Sequence, residues 1–88
     1  MEDYNMIKAC HFRINKGGVL HLHKKLFYWY IPEGVRGQGI KKGDLVLVRD
    51  NNLRGISPAI VADLFRAESE EAGKKHKEVI KKLRAKDG

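Results

Sequence analysis

The chain has 88 residues, 42% of them hydrophobic and 33% charged, and its formal net charge at pH 7 is +7. This size and mixture indicate a single domain over residues 1–88 and argue against a disordered chain or a second core. The charge excess favours polyanionic partners. Cys10 is the sole cysteine, which excludes an internal disulfide and favours a reducing, cytoplasmic location.

The N-terminal segment Met1–Asn5 is acidic and polar, and it lacks the basic and apolar regions of a secretory signal peptide. No apolar run approaches the ~20 residues that a membrane-spanning helix requires. We therefore expect a soluble cytoplasmic protein without a membrane partner.

The first part of the chain predicts a β-hairpin and an aromatic strand. Met6–Ile14 is mostly β-compatible, and Asn15–Gly18 supplies the residues of a tight turn before Val19–His23. The aromatic and β-branched stretch Leu26–Ile31 follows, and Pro32–Gly34 ends it. This stretch either extends the second strand or forms a third.

The middle of the chain predicts a loop and two further strands. Residues 34–43 hold four glycines and three cations, a composition typical of a mobile basic loop. The apolar run Leu45–Arg49 predicts a central strand covered on both faces. Asp50–Gly55 has the composition of a hairpin loop, and a last strand runs from Ala59 to Phe65, with Pro58 suited to its first position.

A C-terminal helix is predicted from about residue 69 to about residue 86. Ser69 is a suitable cap, Glu70 and Glu71 suit the first turn, and lysines and arginines follow towards the end. Gly73 weakens the first turns. An apolar stripe that could dock on the sheet comprises Ala72, His76, Val79, Ile80 and Leu83.

These elements together predict a mostly β member of the α+β class. We expect an SH3-like or OB-like curved sheet or barrel of four or five strands within residues 5–65, followed by one C-terminal helix.

Metal and catalytic sites receive little support from the sequence. A hairpin closed over the Lys16-Gly17 turn places Cys10 opposite His23, on the same face as His21. These three residues are zinc-ligand types, but a structural site needs a fourth ligand and no Cys-x-x-Cys spacing is present. A pairing of Cys10 with a histidine lacks an orienting third group. We expect no metal, no cofactor and no enzymatic activity.

Aromatic and basic residues provide the candidate nucleic-acid-binding site. In a strand Phe27, Trp29 and Ile31 face one side and the tyrosines between them face the other, so one set can fill the core while the other meets solvent. Small β-barrels that bind nucleic acid stack its bases on exposed aromatic side chains and bind its phosphate backbone with cations. The candidate residues are Tyr28 and Tyr30 for bases, and Arg36, Lys41, Lys42, Arg49 and Arg54 for phosphates.

A plainer alternative is that both aromatic sets are buried, one of them under the C-terminal helix, because aromatic strands usually belong to the core. Independently of this alternative, the basic face of the helix either serves solvation alone or forms a surface for a polyanion.

Three short motifs suggest a family resemblance: Tyr28-x-Tyr30-x-Pro32, Gly43-Asp44-x-Val46-x-Val48 and Ala59-x-Val61. They resemble small uncharacterised β-barrel proteins of Firmicutes and their prophages and, more faintly, the N-terminal DNA-binding domain of the primosomal helicase. The resemblance spans residues 27–65. The helicase domain's Pro-Phe-Gly segment is replaced here by Arg49-Asp50-Asn51-Asn52. The resemblance implies a small barrel and transfers no catalytic residue.

We therefore expect a non-catalytic basic domain that binds nucleic acid largely without sequence preference. The alternative is a protein-interaction module, for example a phage-encoded modulator that occupies an acidic surface of a host protein. A further expectation is a homodimer formed through an unpaired sheet edge.

Overall fold

The computed structural model describes residues 4–51 and 53–84, which form one five-stranded antiparallel sheet. In chain order the elements are β1 (Met6–Ile14), β2 (Leu20–Tyr30), α1 (Glu33–Arg36), β3 (Leu45–Arg49), β4 (Ile56–Phe65), α2 (Glu70–Lys74) and β5 (Val79–Arg84). The strand order in the sheet is β2-β1-β4-β3-β5. The mostly β class and the number of strands are as predicted. No helix in the described part of the chain is long and apolar enough to cross a membrane.

The β1–β2 hairpin forms where the sequence predicts it, because Asn15 organises the turn. Its side-chain oxygen accepts hydrogen bonds from the amides of Gly17 and Val19 at 2.9 and 3.0 Å. Gly18 has a φ of 80°, a conformation that glycine adopts without steric cost. The aromatic stretch then extends β2 and does not form a separate strand.

The register of this hairpin differs from the predicted one. Phe12 pairs with Leu22 and Cys10 pairs with Leu26. One residue of β1 therefore lies opposite three residues of β2 between these pairs, which is a bulge of two extra residues. The predicted pairing of Cys10 with His23 is wrong, and the described residues contain no group of three potential metal ligands.

The sheet curls around its core until its two outer strands meet at one point. Tyr30 at the end of β2 forms a parallel bridge with Glu78, just before β5, and the Tyr30 amide donates to the Lys77 carbonyl oxygen at 2.8 Å. Trp29 Nε1 donates to the Arg49 carbonyl oxygen at 2.9 Å beside this bridge. The contact joins the ends of an otherwise open sheet, so the closed barrel of the sequence prediction is not formed as a continuous ladder.

One face of the sheet carries the hydrophobic core. The core cluster comprises Ile7, Ala9, Trp29, Ile31, Val35, Ile40, Val46, Val48, Ala59, Val61 and Val79, with Leu64 packed against it. β3 is an interior strand as predicted, since it pairs with both β4 and β5. Its two faces are unequal, because Val46 and Val48 are fully buried while Leu45 and Leu47 are half-buried.

The long C-terminal helix of the sequence prediction is wrong beyond residue 74. Ser69 caps α2 as expected, its hydroxyl oxygen accepting from the Ala72 amide at 3.1 Å, but this helix has five residues. Val79–Arg84 instead form β5 along β3, and Val79 is buried opposite Val48. Pairing with an available sheet edge and burial of a β-branched residue override the local helical pattern. Residues 85–86 of the predicted helix lie outside the described residues.

The predicted basic loop is also more structured than its glycines suggest. Residues 33–36 form α1, and Val35 and the following Ile40 pack into the core. Asp44, nearly fully buried, accepts a hydrogen bond from the Lys41 amide at 2.8 Å and lies 3.4 Å from Lys82 Nζ. The local bond to Lys41, the ion pair with Lys82 and the packing into the core together fix a segment whose local sequence is permissive.

The last predicted strand begins earlier than expected. β4 starts at Ile56, so Pro58 is its third residue and pairs with Leu47 of β3. Pairing of β4 with β1 begins only at Ala59.

Candidate nucleic-acid interface

A groove of about 430 Å³ opens where β2 separates from the segment that leads into β5. Its walls are the end of β2, the β3–β4 turn and the connection between α2 and β5. The lining residues are His11, Leu26, Phe27, Tyr28, Trp29, Arg49, Asp50, Asn51, Lys75, His76 and Lys77. The groove therefore combines aromatic rings with three permanent cations and one carboxylate.

Two aromatic rings of the groove are accessible. Phe27 is 37% exposed and Tyr28 is 47% exposed, whereas Trp29 is 3% exposed. The Phe27 ring centroid lies 5.6 Å from that of His11, and the Tyr28 ring makes an edge contact with Phe65 at 5.7 Å. These contacts hold both rings at the surface in defined orientations.

The backbone positions the cations of the groove. The Arg49 amide donates to the Glu78 carbonyl oxygen at 2.9 Å, and the Arg49 carbonyl oxygen accepts from Trp29. The Lys77 carbonyl oxygen accepts from the Tyr30 amide. The same contacts that join the two ends of the sheet therefore place both Arg49 and Lys77 at the groove.

Asp50 is the acidic residue of the groove. Burial raises the pKa of its carboxyl, but hydrogen bonds from the Asn51 amide and the Ser57 hydroxyl, together with nearby His11 and Lys77, outweigh burial and lower the pKa overall. The carboxylate therefore stays ionised and offsets part of the positive charge at this end of the groove.

His11 forms part of the groove wall and is held on both sides. Its Nδ1 lies 3.1 Å from Ser57 Oγ, and its Nε2 lies 3.8 Å from a carboxylate oxygen of Asp50. Its ring also makes an edge contact with Trp29 at 5.4 Å. Because both ring nitrogens contact protein groups, the imidazole is held in place and contributes to the lining of the groove.

Two of the predicted site residues, Tyr30 and Arg36, lie in a structural network away from the groove. Tyr30 is 3% exposed and its hydroxyl donates to Glu70 Oε2 at 2.5 Å. Arg36 Nη2 donates to the same oxygen at 2.8 Å, and its Nε donates to the Ile31 carbonyl oxygen at 2.8 Å. The predicted exposure of Tyr30 is therefore wrong: its ring packs under α2, where a Cβ on Gly73 would lie 2.7 Å from Tyr30 Cδ1.

The remaining predicted phosphate ligands are dispersed. Lys41 and Lys42 lie in the connection between α1 and β3, where Lys42 Nζ is 3.4 Å from Asp63. Arg54 is exposed in the β3–β4 turn. None of the three lines the groove.

Of the seven predicted residues, Tyr28 and Arg49 are the two that the groove brings together. The prediction missed Phe27, which it placed with Trp29 and Ile31 on the side of the strand opposite the tyrosines. It also left out Lys75 and Lys77, whose helix face it assigned either to solvation or to a polyanion surface. The basic run Lys74-Lys75-His76-Lys77 was the available signal for the last two.

The Glu70 network predicts a specific pH dependence of stability. Hydrogen bonds from Arg36 and then Tyr30 lower the pKa of the Glu70 carboxyl from 4.5 to about 2. A carboxyl whose pKa is lower in the folded state stabilises the fold above pH 4.5, and this stabilisation disappears as the pH falls towards 2. We expect the wild-type free energy of unfolding to fall more steeply over this range than that of Glu70→Gln, which cannot titrate.

Urea titrations at pH 5 and pH 2.5, followed by Trp29 fluorescence, provide the measurement. Arg36→Gln removes the first cause of the lowered pKa. The free energy of unfolding of this variant should therefore also differ less between pH 5 and pH 2.5 than that of the wild type. If the free energy of unfolding changed equally between the two pH values in the wild type and in Glu70→Gln, the assigned role of this carboxylate would be contradicted.

The comparisons with known proteins place the chain in a family. No curated protein and no solved structure matches it significantly. Residues 2–85 match the model of a family described as "Family of unknown function (DUF5839)". Because the match covers nearly the whole sequence, the chain belongs to this family, DUF5839.

Proposed function

We propose that this protein binds single-stranded nucleic acid in the groove, largely without sequence preference. The observation that supports this proposal is a groove whose lining includes two exposed aromatic residues, Phe27 and Tyr28, together with Arg49, Lys75 and Lys77. Rings can stack on any base, and cations neutralise phosphates whatever the sequence. The net charge of +7 adds long-range attraction for a polyanion.

The placement of the two exposed rings favours a single strand over a duplex. Phe27 and Tyr28 are neighbours on β2, so their side chains point to opposite faces of the sheet, and bases that stack on both must be free to turn in different directions. Bases in a duplex are already stacked and paired, and freeing one costs a few kcal/mol. The proposed ligand is therefore unpaired DNA or RNA.

Tyr28→Ala is expected to weaken the binding of a single-stranded 12-mer by about 1–3 kcal/mol, the usual contribution of one stacked base. Fluorescence anisotropy with labelled single-stranded and duplex oligonucleotides, at several salt concentrations, measures this change. The wild type should bind the single strand more tightly than the duplex. Absence of binding at low salt would reject the proposal and favour the alternative of a protein-interaction module.

A matched pair of double variants separates the groove from general charge attraction. Lys75→Ala with Lys77→Ala removes two groove cations and should lower the slope of log affinity against log salt by about 1.4, at ~0.7 per phosphate contact. Lys41→Ala with Lys42→Ala removes the same charge outside the groove and should change the slope much less. Equal losses in both variants would show diffuse attraction without a defined site.

The absence of catalytic activity, a cytoplasmic location and a homodimer through the sheet edge stay predictions. The resemblance to prophage-encoded barrels and to the primosomal helicase domain likewise stays a prediction.

A further inference from the structure

The outer part of the β1–β2 hairpin projects beyond the core and has two chemically distinct faces. From Leu20 to Tyr28 every residue of β2 is exposed, and Arg13 and Ile14 at the end of β1 are exposed as well. We call residues 12–26 the distal hairpin. Side chains of directly paired residues share a face of the sheet, so the register defines both faces.

One face of the distal hairpin is aliphatic and the other is cationic. Phe12 pairs with Leu22 and Ile14 pairs with Leu20, which places four apolar side chains on one face. On the opposite face Arg13 pairs with His21. His23 and Lys25 lie on this second face, as their contacts with groove residues show below.

The cationic face is continuous with the groove. The His23 ring centroid lies 6.2 Å from that of His11, and Lys25 Nζ lies 5.1 Å from the centre of the Phe27 ring. His11 and Phe27 both line the groove. A chain that leaves the groove at Phe27 therefore meets Lys25 and His23 next, and then Arg13.

No acidic residue occurs in the sequence from Tyr4 to Pro32. The cations of the distal hairpin therefore have no carboxylate neighbour within either of their own strands. The groove contrasts with this, because there Asp50 offsets part of the charge. A polyanion passing from the groove to the distal hairpin moves towards two strand segments that carry cations and no carboxylate of their own.

We infer that the cationic face of the distal hairpin is a second contact site for the nucleic acid held in the groove, with Arg13 and Lys25 as its phosphate ligands. This inference rests on the proposed function and assigns the direction in which the bound strand leaves the groove. From His11 to Arg13 the strand rises about 7 Å at ~3.3 Å per residue. At ~3.4 Å per phosphate of a stacked strand, this distance accommodates about two more nucleotides.

The test compares a 4-mer, which the groove alone can hold, with a 12-mer, which reaches the distal hairpin. Arg13→Ala with Lys25→Ala should weaken the binding of the labelled 12-mer about tenfold at low salt and lower its salt slope by about 1.4. The 4-mer should lose less than twofold. A longer oligonucleotide can bind in more registers, which raises its apparent affinity. The affinity of each oligonucleotide for the variant is therefore compared with the affinity of the same oligonucleotide for the wild type.

Two further variants serve as controls. Arg13→Lys with Lys25→Arg keeps both charges and should retain the affinity for the 12-mer. Ile14→Ser with Leu22→Ser alters the aliphatic face of the same exposed segment and should leave the affinity of both oligonucleotides within twofold of the wild type. Thermal unfolding followed by circular dichroism checks that each variant is folded.

The outcomes separate this inference from the proposed function. An unchanged 12-mer affinity in the Arg13→Ala, Lys25→Ala variant, or equal losses for both oligonucleotides, would overturn the role of the distal hairpin while the groove remains a binding site. A wild type that binds neither oligonucleotide would overturn both.

Discussion

Replacing Trp29 by alanine is expected to lower the free energy of unfolding by about 3–5 kcal/mol, the usual range for truncating a large buried aromatic residue. Trp29 is 3% exposed within the core cluster. Its indole also donates to the Arg49 carbonyl oxygen beside the bridge between the outer strands. The substitution therefore leaves a cavity and removes a link between the two ends of the sheet.

Phe27→Ala is the matched comparison, since Phe27 lies two residues earlier on the same face but is 37% exposed. Phe27→Ala should lower the free energy of unfolding much less than Trp29→Ala does. Its larger effect should be on the free energy of the oligonucleotide binding proposed above. Urea unfolding followed by circular dichroism compares the two variants. Similar losses of stability would contradict the division between a buried Trp29 and an accessible Phe27.

Gly73→Ala is expected to destabilise the fold by about 1–3 kcal/mol, the usual cost of overpacking. A Cβ at this position would lie 2.7 Å from Tyr30 Cδ1 and 3.1 Å from Tyr30 Cε1. Alanine is the better helix former by roughly 1 kcal/mol, so a measured loss would mean that the clash with the Tyr30 ring exceeds this gain. Urea unfolding at neutral pH measures the net effect.

Gly34→Ala provides the control, because Gly34 lies in α1 and a Cβ there meets nothing within 4 Å. This variant should be as stable as the wild type or slightly more so. A Gly73→Ala protein as stable as Gly34→Ala would contradict the close approach of α2 to Tyr30.

The strands could be predicted from the sequence because their signals are local. Asn15 and Gly18 specify the hairpin turn, and the β-branched residues of Leu45–Arg49 specify an interior strand. The register could not be predicted, because a bulge depends on how two strands fit around a curved core. A shift between paired residues leaves no distinctive local signature in the sequence.

The C-terminal strand was missed for a different reason. Val79–Arg84 carries apolar residues at spacings that suit a helix, and a capped helix does begin at Ser69. The deciding factor is the free edge of β3, which lies about 30 residues earlier in the chain and cannot be seen in a local pattern.

The smaller part of the candidate site could be predicted from the sequence. Tyr28 and Arg49 were identified from residue type and neighbourhood. Tyr30 and Arg36 were assigned to the same surface because their partner, Glu70, is far away in sequence and draws both into a structural network. Long-range ion pairs of this kind are invisible until the topology is known.

The bulge of two extra residues in β2 determines which insertions and deletions the distal hairpin can accept. Side chains of a strand alternate between faces with a period of two, so an insertion of two residues between Leu22 and Leu26 keeps the leucines on one face and Lys25 on the face of Arg13. An insertion of one residue would invert everything beyond it and bring Leu20 and Leu22 to the face of Lys25. The distal hairpin can therefore gain residues in even steps without exchanging its two faces, whereas a deletion of two residues there would remove His23 or Lys25.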